Sequence, residues 1–145
     1  MTVPRELVAM LEGAPVVGAR EQAFPFITVD DGGFPHPALL SRAELEVGPA
    51  GELHAALRSR RTRANLERSG LAALIAVEGR TAHYVKLRVV RSLAVHDPLA
   101  CVFEVVEHKP DSLGIPLAPV TYEVTAEITR AERWDLTREA LARLR

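Results

Sequence analysis

Between residues 23 and 129, runs of apolar or alternating residues are separated by connections too short to return the chain along a strand. Asp30-Asp31-Gly32-Gly33, Gly48-Pro49-Ala50-Gly51 and Asp97-Pro98 have turn compositions. Glycine supplies positive φ there, and aspartate bonds its own backbone. A parallel neighbour needs a crossover of roughly a dozen residues, and only residues 59–70 offer one. The chain is therefore constrained to antiparallel hairpins.

Seven strands follow from this punctuation, over residues 23–29, 34–47, 52–57, 71–77, 82–95, 100–107 and 121–129. Pro35 and Pro37 place the start of the second at an edge or bulge. Residues 71–77, LAALIAV, are apolar without alternation, which predicts a strand buried on both faces. The run 82–95 alternates, with His83, Val85, Leu87 and Val89 on one face and Tyr84, Lys86 and Arg88 on the other. Residues 121–129 alternate in the same way, with Tyr122, Val124, Ala126 and Ile128 inward. Helices are expected over 4–12, in the centre up to Gly70, and over 135–144, where Leu136, Ala140, Leu141 and Leu144 form one stripe. The natural closure of such a series is a single-domain, mainly β chain folded as a small antiparallel barrel capped by helices.

Composition fits this. The chain has 145 residues, is 48% hydrophobic and carries a net charge of −1, so the molecule as a whole is no trap for nucleic acid. One cysteine, Cys101, excludes an internal disulfide and points to a reducing, cytoplasmic setting. Its apolar surroundings predict a buried, inert thiol. The N-terminal residues show no charged stretch followed by an apolar one, so no signal peptide is expected, and no run is long enough for a membrane span.

The stretch Ser59-Arg60-Arg61-Thr62-Arg63-Ala64-Asn65-Leu66-Glu67-Arg68-Ser69-Gly70 carries the chemistry. It reads as a turn into a helix with Thr62 as N-cap and Gly70 as the stop. A serine and two arginines thus stand before a helix start, whose unpaired N–H groups and partial positive charge suit a phosphate.

These pieces, in this order, resemble the flavin-binding split-barrel family that includes pyridoxamine 5′-phosphate oxidase. The segment from Phe26 to Pro37 is similar to that family's first hairpin, an apolar strand followed by D-x-x-G-x-P. Ala38-Leu39-Leu40-Ser41 and the third strand follow, then a segment similar to S-R/K-K…N-L…N-P. The resemblance implies a homodimeric split barrel that binds flavin mononucleotide (FMN). It implies a phosphate held by Ser59, Arg60 and Arg61, and a flavin ring lying along Ala38, Leu39, Leu40 and Ser41. It adds His54 and Ala55 at the start of the third strand, and His83 reaching the flavin from the partner subunit. It implies an oxidoreductase acting on a small molecule or electron donor. The oxidase's C-terminal R-x-H-x-R-like grip on its phosphorylated substrate is missing, since the chain ends Ala140-Leu141-Ala142-Arg143-Leu144-Arg145. Oxidation of pyridoxamine phosphate itself is therefore not expected. A haem or tetrapyrrole binder, or a structural dimer without cofactor, is the alternative on the same fold.

Other constellations read as structural. The histidines at 36, 54, 83, 96 and 108 lack metal-ligand spacing and no cysteine pair assists them. Asp30 and Asp31 are turn formers. No serine sits in a nucleophile elbow. Glu44, Glu46, Glu67 and Glu78 are expected to be solvated, and Trp134 is expected to pack the last helix onto the barrel.

Overall fold

A computed structural model of the chain describes residues 1–94 and 97–145. Val95, the expected end of the long strand, and His96, one of the five histidines, lie outside the described residues.

The chain opens with α1 (Arg5–Val8), prolonged by a 3₁₀ turn (Ala9–Leu11) that buries Leu7 and Leu11. Among the described residues nine strands follow: β1 (Arg20–Gln22), β2 (Phe24–Val29), β3 (Pro35–Leu40), β4 (Leu45–Val47), β5 (Leu53–Leu57), β6 (Leu71–Glu78), β7 (Thr81–Ala94), β8 (Leu99–Ser112) and β9 (Thr121–Glu123). Helix α2 (Arg60–Ser69) separates β5 from β6, and α3 (Ala126–Ala131) and α4 (Trp134–Ala142) end the chain.

Seven strands form one sheet in the order β3-β2-β6-β7-β8-β5-β4, with every pairing antiparallel. β3 lies on one edge and β4 on the other, yet only Ser41 and the 3₁₀ turn Arg42–Glu44 join them. A flat seven-stranded sheet would put those edges about 29 Å apart at the usual strand spacing. The connection reaches about 18 Å even fully extended. The sheet must therefore curl until its edges approach, and because β3 and β4 do not pair, the barrel stays split along that line. Register shifts between β7 and β8, at Lys86/Leu87 and Val89/Arg91, add the local bending that curling needs.

Inside the curl lies the main core. Phe26 and Phe103 meet edge-to-face at 5.8 Å, among Leu45, Leu53, Leu57, Leu74 and Leu87. Cys101 is part of this core, and burial pushes its thiol up to about 12, so it is an inert thiol at neutral pH. Two smaller clusters attach the C-terminal helices. Ala56 and Ala100 admit Ala140, Leu141 and Leu144 of the last helical segment, and Trp134 packs with Ala43 and Val124.

Several expectations change in detail. The run 34–47 is two strands, because Ser41 and Glu44 form a capping box: Ala43 N–H donates to Ser41 Oγ while Ser41 N–H donates to Glu44 Oε1. The chain turns there by construction. The N-cap of α2 is Ser59, not Thr62. The Ser59 side chain accepts from Thr62 N–H at 3.4 Å, which leaves the Thr62 hydroxyl free to face elsewhere. Residues 121–129 are a strand only as far as Glu123. Thr125 then caps α3 by accepting from Ile128 N–H at 3.1 Å. β8 continues to Ser112, beyond the expected end at 107. β6 buries Ala72, Leu74 and Ala76, while Ala73, Ile75 and Val77 on its other face are only half covered.

α2 closes one end of the barrel. Its Asn65, buried, donates to Thr28 Oγ1 of β2 at 2.9 Å and accepts from Arg68 at 3.2 Å. Gly70 stops the helix with φ +70, a left-handed position that a side chain would strain. Thr28→Val keeps the shape of its side chain but strands an amide proton of Asn65. It is expected to lower stability by about 1–2 kcal/mol, read as a lower denaturant midpoint at unchanged slope.

Candidate functional site

A cavity of about 550 Å³ opens beside the split, where the end of β3 leads into the 3₁₀ turn toward β4. That volume lies within the range of small-molecule and cofactor sites. One wall is the end of β3, Ala38 to Leu40, with Ser41. The floor carries Leu57, Arg58, Ser59 and Thr62, from the end of β5 into the start of α2. The remaining wall comes from the C-terminal third of the chain: Val120, Thr121, Tyr122, Ile128, Glu132 and Trp134.

Local structure fixes each wall. β1 and β9 pair as a two-stranded ribbon, and Ala23 N–H donates to Val120 O at 2.8 Å while Val124 N–H donates to Ala19 O at 2.9 Å. This ribbon holds Tyr122 over the cavity. Arg42 ties the ribbon to the 3₁₀ turn through a bidentate pair with Glu21, at 2.7 and 3.0 Å. Trp134 begins α4 immediately after Arg133, which adopts φ +49 and is clasped by Asp135. The Tyr122 and Trp134 rings meet edge-to-face at 6.5 Å.

The site residues expected from sequence divide into three groups. Ala38, Leu39, Leu40, Ser41 and Ser59 come together on the cavity. Arg60 and Arg61 lie on the exposed first turn of α2, next to Ser59 and outside the cavity wall. Arg58 and Arg63 are both engaged by Asp97, through its carboxylate at 2.7 Å and its carbonyl at 2.7 Å. Among the described residues, Arg60 and Arg61 make no hydrogen bond and no close ion pair; Arg60 is felt by Asp97 only at longer range.

The others lie elsewhere. His54 is buried on β5 and not in the wall. Its Nε2 is 3.0 Å from Glu52, and its Nδ1 is 3.7 Å from Glu46, which also takes an ion pair from Arg145. Ala55 faces the main core. His83, buried on β7, stacks on His108 of β8 with the rings 5.1 Å apart and Nδ1 2.8 Å from Nε2. Among the described residues no three His, Cys, Asp or Glu side chains converge to hold a metal. No described helix is long and apolar enough to cross a membrane.

Of the lining residues that were not candidates from sequence, four carry buried polar groups. Glu44 was expected to be solvated; instead it is half-buried in the cavity wall. Burial pushes its carboxyl up to about 7. The Ser41 N–H opposes this, Glu132 adds to it, and the Ser41 hydroxyl and Arg58 oppose it. The signal that could have found it is S-x-x-E at 41–44, a capping box that returns the glutamate toward the turn. Thr62, Tyr122 and Trp134 are the other three. Thr62 Oγ1, Tyr122 Oη and Trp134 Nε1 are buried, and no hydrogen bond of good geometry reaches them. Burial raises the Tyr122 phenol above its usual range, with the nearby Ser41 hydroxyl pulling the other way.

Comparison with known proteins gives the fold its context. No family profile and no curated sequence matches the chain. Solved structures do. The flavin reductase of styrene monooxygenase from Pseudomonas putida S12 is similar over 73% of this chain and 88% of its own, at TM-score 0.57 and 10% identity. Flavoredoxin of Desulfovibrio vulgaris (Miyazaki F) is similar over 77% and 86%, at TM-score 0.54 and 13% identity. An F420 reductase is similar over 68% and 97%, at TM-score 0.53 and 13% identity. The chain thus has the split-barrel fold of flavin reductases and related oxidoreductases, as expected from sequence.

Proposed function

We propose that this chain is an FMN-binding oxidoreductase whose flavin occupies the cavity at the split. The observation that carries this reading is the convergence of two unlike surfaces there. An apolar wall of small and aliphatic residues, Ala38 to Leu40, suits a flat ring. Ser59, in the cavity floor, caps a helix start, and the unpaired Arg60 and Arg61 on the exposed turn just outside the wall add charge that suits a dianionic phosphate. The unpartnered Thr62, Tyr122 and Trp134 atoms supply polar groups that such a ligand needs. Solved proteins of the same fold include a flavin reductase and a flavoredoxin, which supports a flavin here. None of the four described histidines lines the cavity, so the described residues offer no imidazole there for a haem iron.

Bound flavin supplies the hydride and electron chemistry. The protein's part is to bind, orient and exclude water. Ser59, Arg60 and Arg61 neutralise the phosphate, and β3 with Ile128 and Leu57 dries the ring. Glu44 holds a proton at its carboxyl up to near neutral pH. Among the described residues the cavity wall holds one arginine, Arg58, already paired with Asp97, so an unphosphorylated substrate or a nicotinamide donor is the natural reactant. We further propose a homodimer in the cytoplasm, burying well over about 1,600 Å². The half-covered face of β6 and the exposed Val90 and Leu93 of β7 offer apolar surface for it.

Titration of FMN into the purified chain, followed by quenching of flavin fluorescence, tests the central reading. One FMN per chain with a micromolar or tighter Kd is expected. Flavin that stays fully fluorescent at about 1 mM protein would contradict it. Light scattering tests the dimer, which a stable monomer at micromolar concentration would exclude.

A further inference from the structure

Buried polar atoms in folded proteins are nearly always hydrogen-bonded, because an unpaired one forfeits its hydration. Here no hydrogen bond of good geometry reaches Thr62 Oγ1, Tyr122 Oη or Trp134 Nε1, although the Ser41 hydroxyl stands near Tyr122, and all three residues line a single cavity. Thr62 is 1% exposed and Trp134 7%, so bulk water does not relieve them. Their chemistry limits what belongs there. An indole N–H donates only, so the partner missing from Trp134 is an acceptor; each hydroxyl can donate or accept.

Position sorts them further. Thr62 lies one helical turn from Ser59 and belongs to the phosphate end of the cavity. Tyr122 and Trp134 come from the C-terminal segment, their rings in edge-to-face contact, with aliphatic Ile128 packed against them. The group they complement is therefore an acceptor-bearing edge of a flat, otherwise apolar body. Carbonyl oxygens on a fused ring meet that description; a ribityl phosphate does not.

We propose that Trp134, through its indole N–H, and Tyr122, through its hydroxyl, bind the carbonyl edge of the flavin ring, so that one chain's own C-terminal segment encloses the ring. This rests on the flavin reading of the cavity and adds ring recognition that is independent of the phosphate. It follows that riboflavin, which has the ring and no phosphate, engages both residues fully.

Trp134 is the single tryptophan of the chain, so its indole N–H gives one resolved peak in a ¹⁵N–¹H spectrum. Riboflavin is titrated while its own fluorescence reports binding. The indole peak is expected to move downfield and its exchange with solvent to slow at least about tenfold. Trp134→Phe and Tyr122→Phe are each expected to weaken riboflavin and FMN alike, by about three- to tenfold, the usual range for one neutral hydrogen bond. Bound riboflavin with an indole N–H that still exchanges at its free rate would overturn the inference and leave the flavin reading intact. So would unchanged affinity in both folded variants. If neither riboflavin nor FMN binds, both readings fall together. Should Trp134→Phe fail to fold, the wild-type spectrum and Tyr122→Phe decide.

Discussion

Arg61→Ala is expected to weaken FMN binding by about 1.5–3 kcal/mol, roughly 10- to 150-fold, while riboflavin loses much less. Of the basic cluster, Arg58 and Arg63 are occupied by Asp97. Arg61 is exposed and has no partner among the described residues, so its guanidinium can meet a phosphate without breaking an existing bond. It stands in the first turn of α2, where unpaired N–H groups add to the attraction for an anion. Arg60 shares the turn but lies within the field of Asp97, so its replacement should cost less. Calorimetric titration of both ligands against both variants measures the difference. Equal losses for FMN and riboflavin would show that Arg61 does not touch the phosphate.

Glu44→Gln is expected to remove a pH dependence of stability worth about 2–3 kcal/mol. The Glu44 carboxyl sits at about 7 in the folded chain, against 4.5 for the ordinary group, and burial is the main cause. Between those values the folded chain binds a proton that the unfolded chain has lost. Stability is therefore full below about 4.5, falls as pH rises, and levels off above about 7. The shift sets a ceiling of about 3 kcal/mol, reduced because the group is not wholly removed from water. Glutamine can still accept the Ser41 N–H of the capping box, so the turn is kept. Wild type and variant should be equally stable at pH 4.5, and the variant more stable at pH 8. Denaturation curves whose midpoints stay parallel over that range would show that Glu44 is solvated after all.

What was legible in the sequence is what local chemistry fixes. Asp30 Oδ1 accepts from Gly32 and Phe34 N–H at 2.9 and 2.8 Å, and Gly33 takes φ +86, so the hairpin at 30–33 is set by four residues alone. Gly70 is a second case. The order of the strands was less accessible, but the short turns left few arrangements.

Misreadings arose where two patterns share residues. Val124 and Ile128 fit both a period of two and a helical i, i+4 spacing. The capping hydroxyl of Thr125 settles the matter for the helix. Ser59 and Thr62 can both cap; geometry selects the residue whose side chain lies three before an open N–H. Ala55, which the resemblance placed beside the flavin, faces the main core, and its neighbour Ala56 packs against the last helix. The site itself was half visible. Ser41 and Ser59 belong to runs near one another in sequence, but Tyr122 and Trp134 reach the cavity only through the β1–β9 ribbon and the turn at Arg133. Long-range contacts of that kind leave no local trace.

A crystal structure of the chain grown with FMN tests the account most directly. It predicts ring density at the split, against Ala38 to Leu40 on one side and within hydrogen-bonding distance of Trp134 Nε1 on the other, with the phosphate at Ser59 and the start of α2. Flavin density confined to another surface, with the cavity at the split holding only solvent, would contradict it.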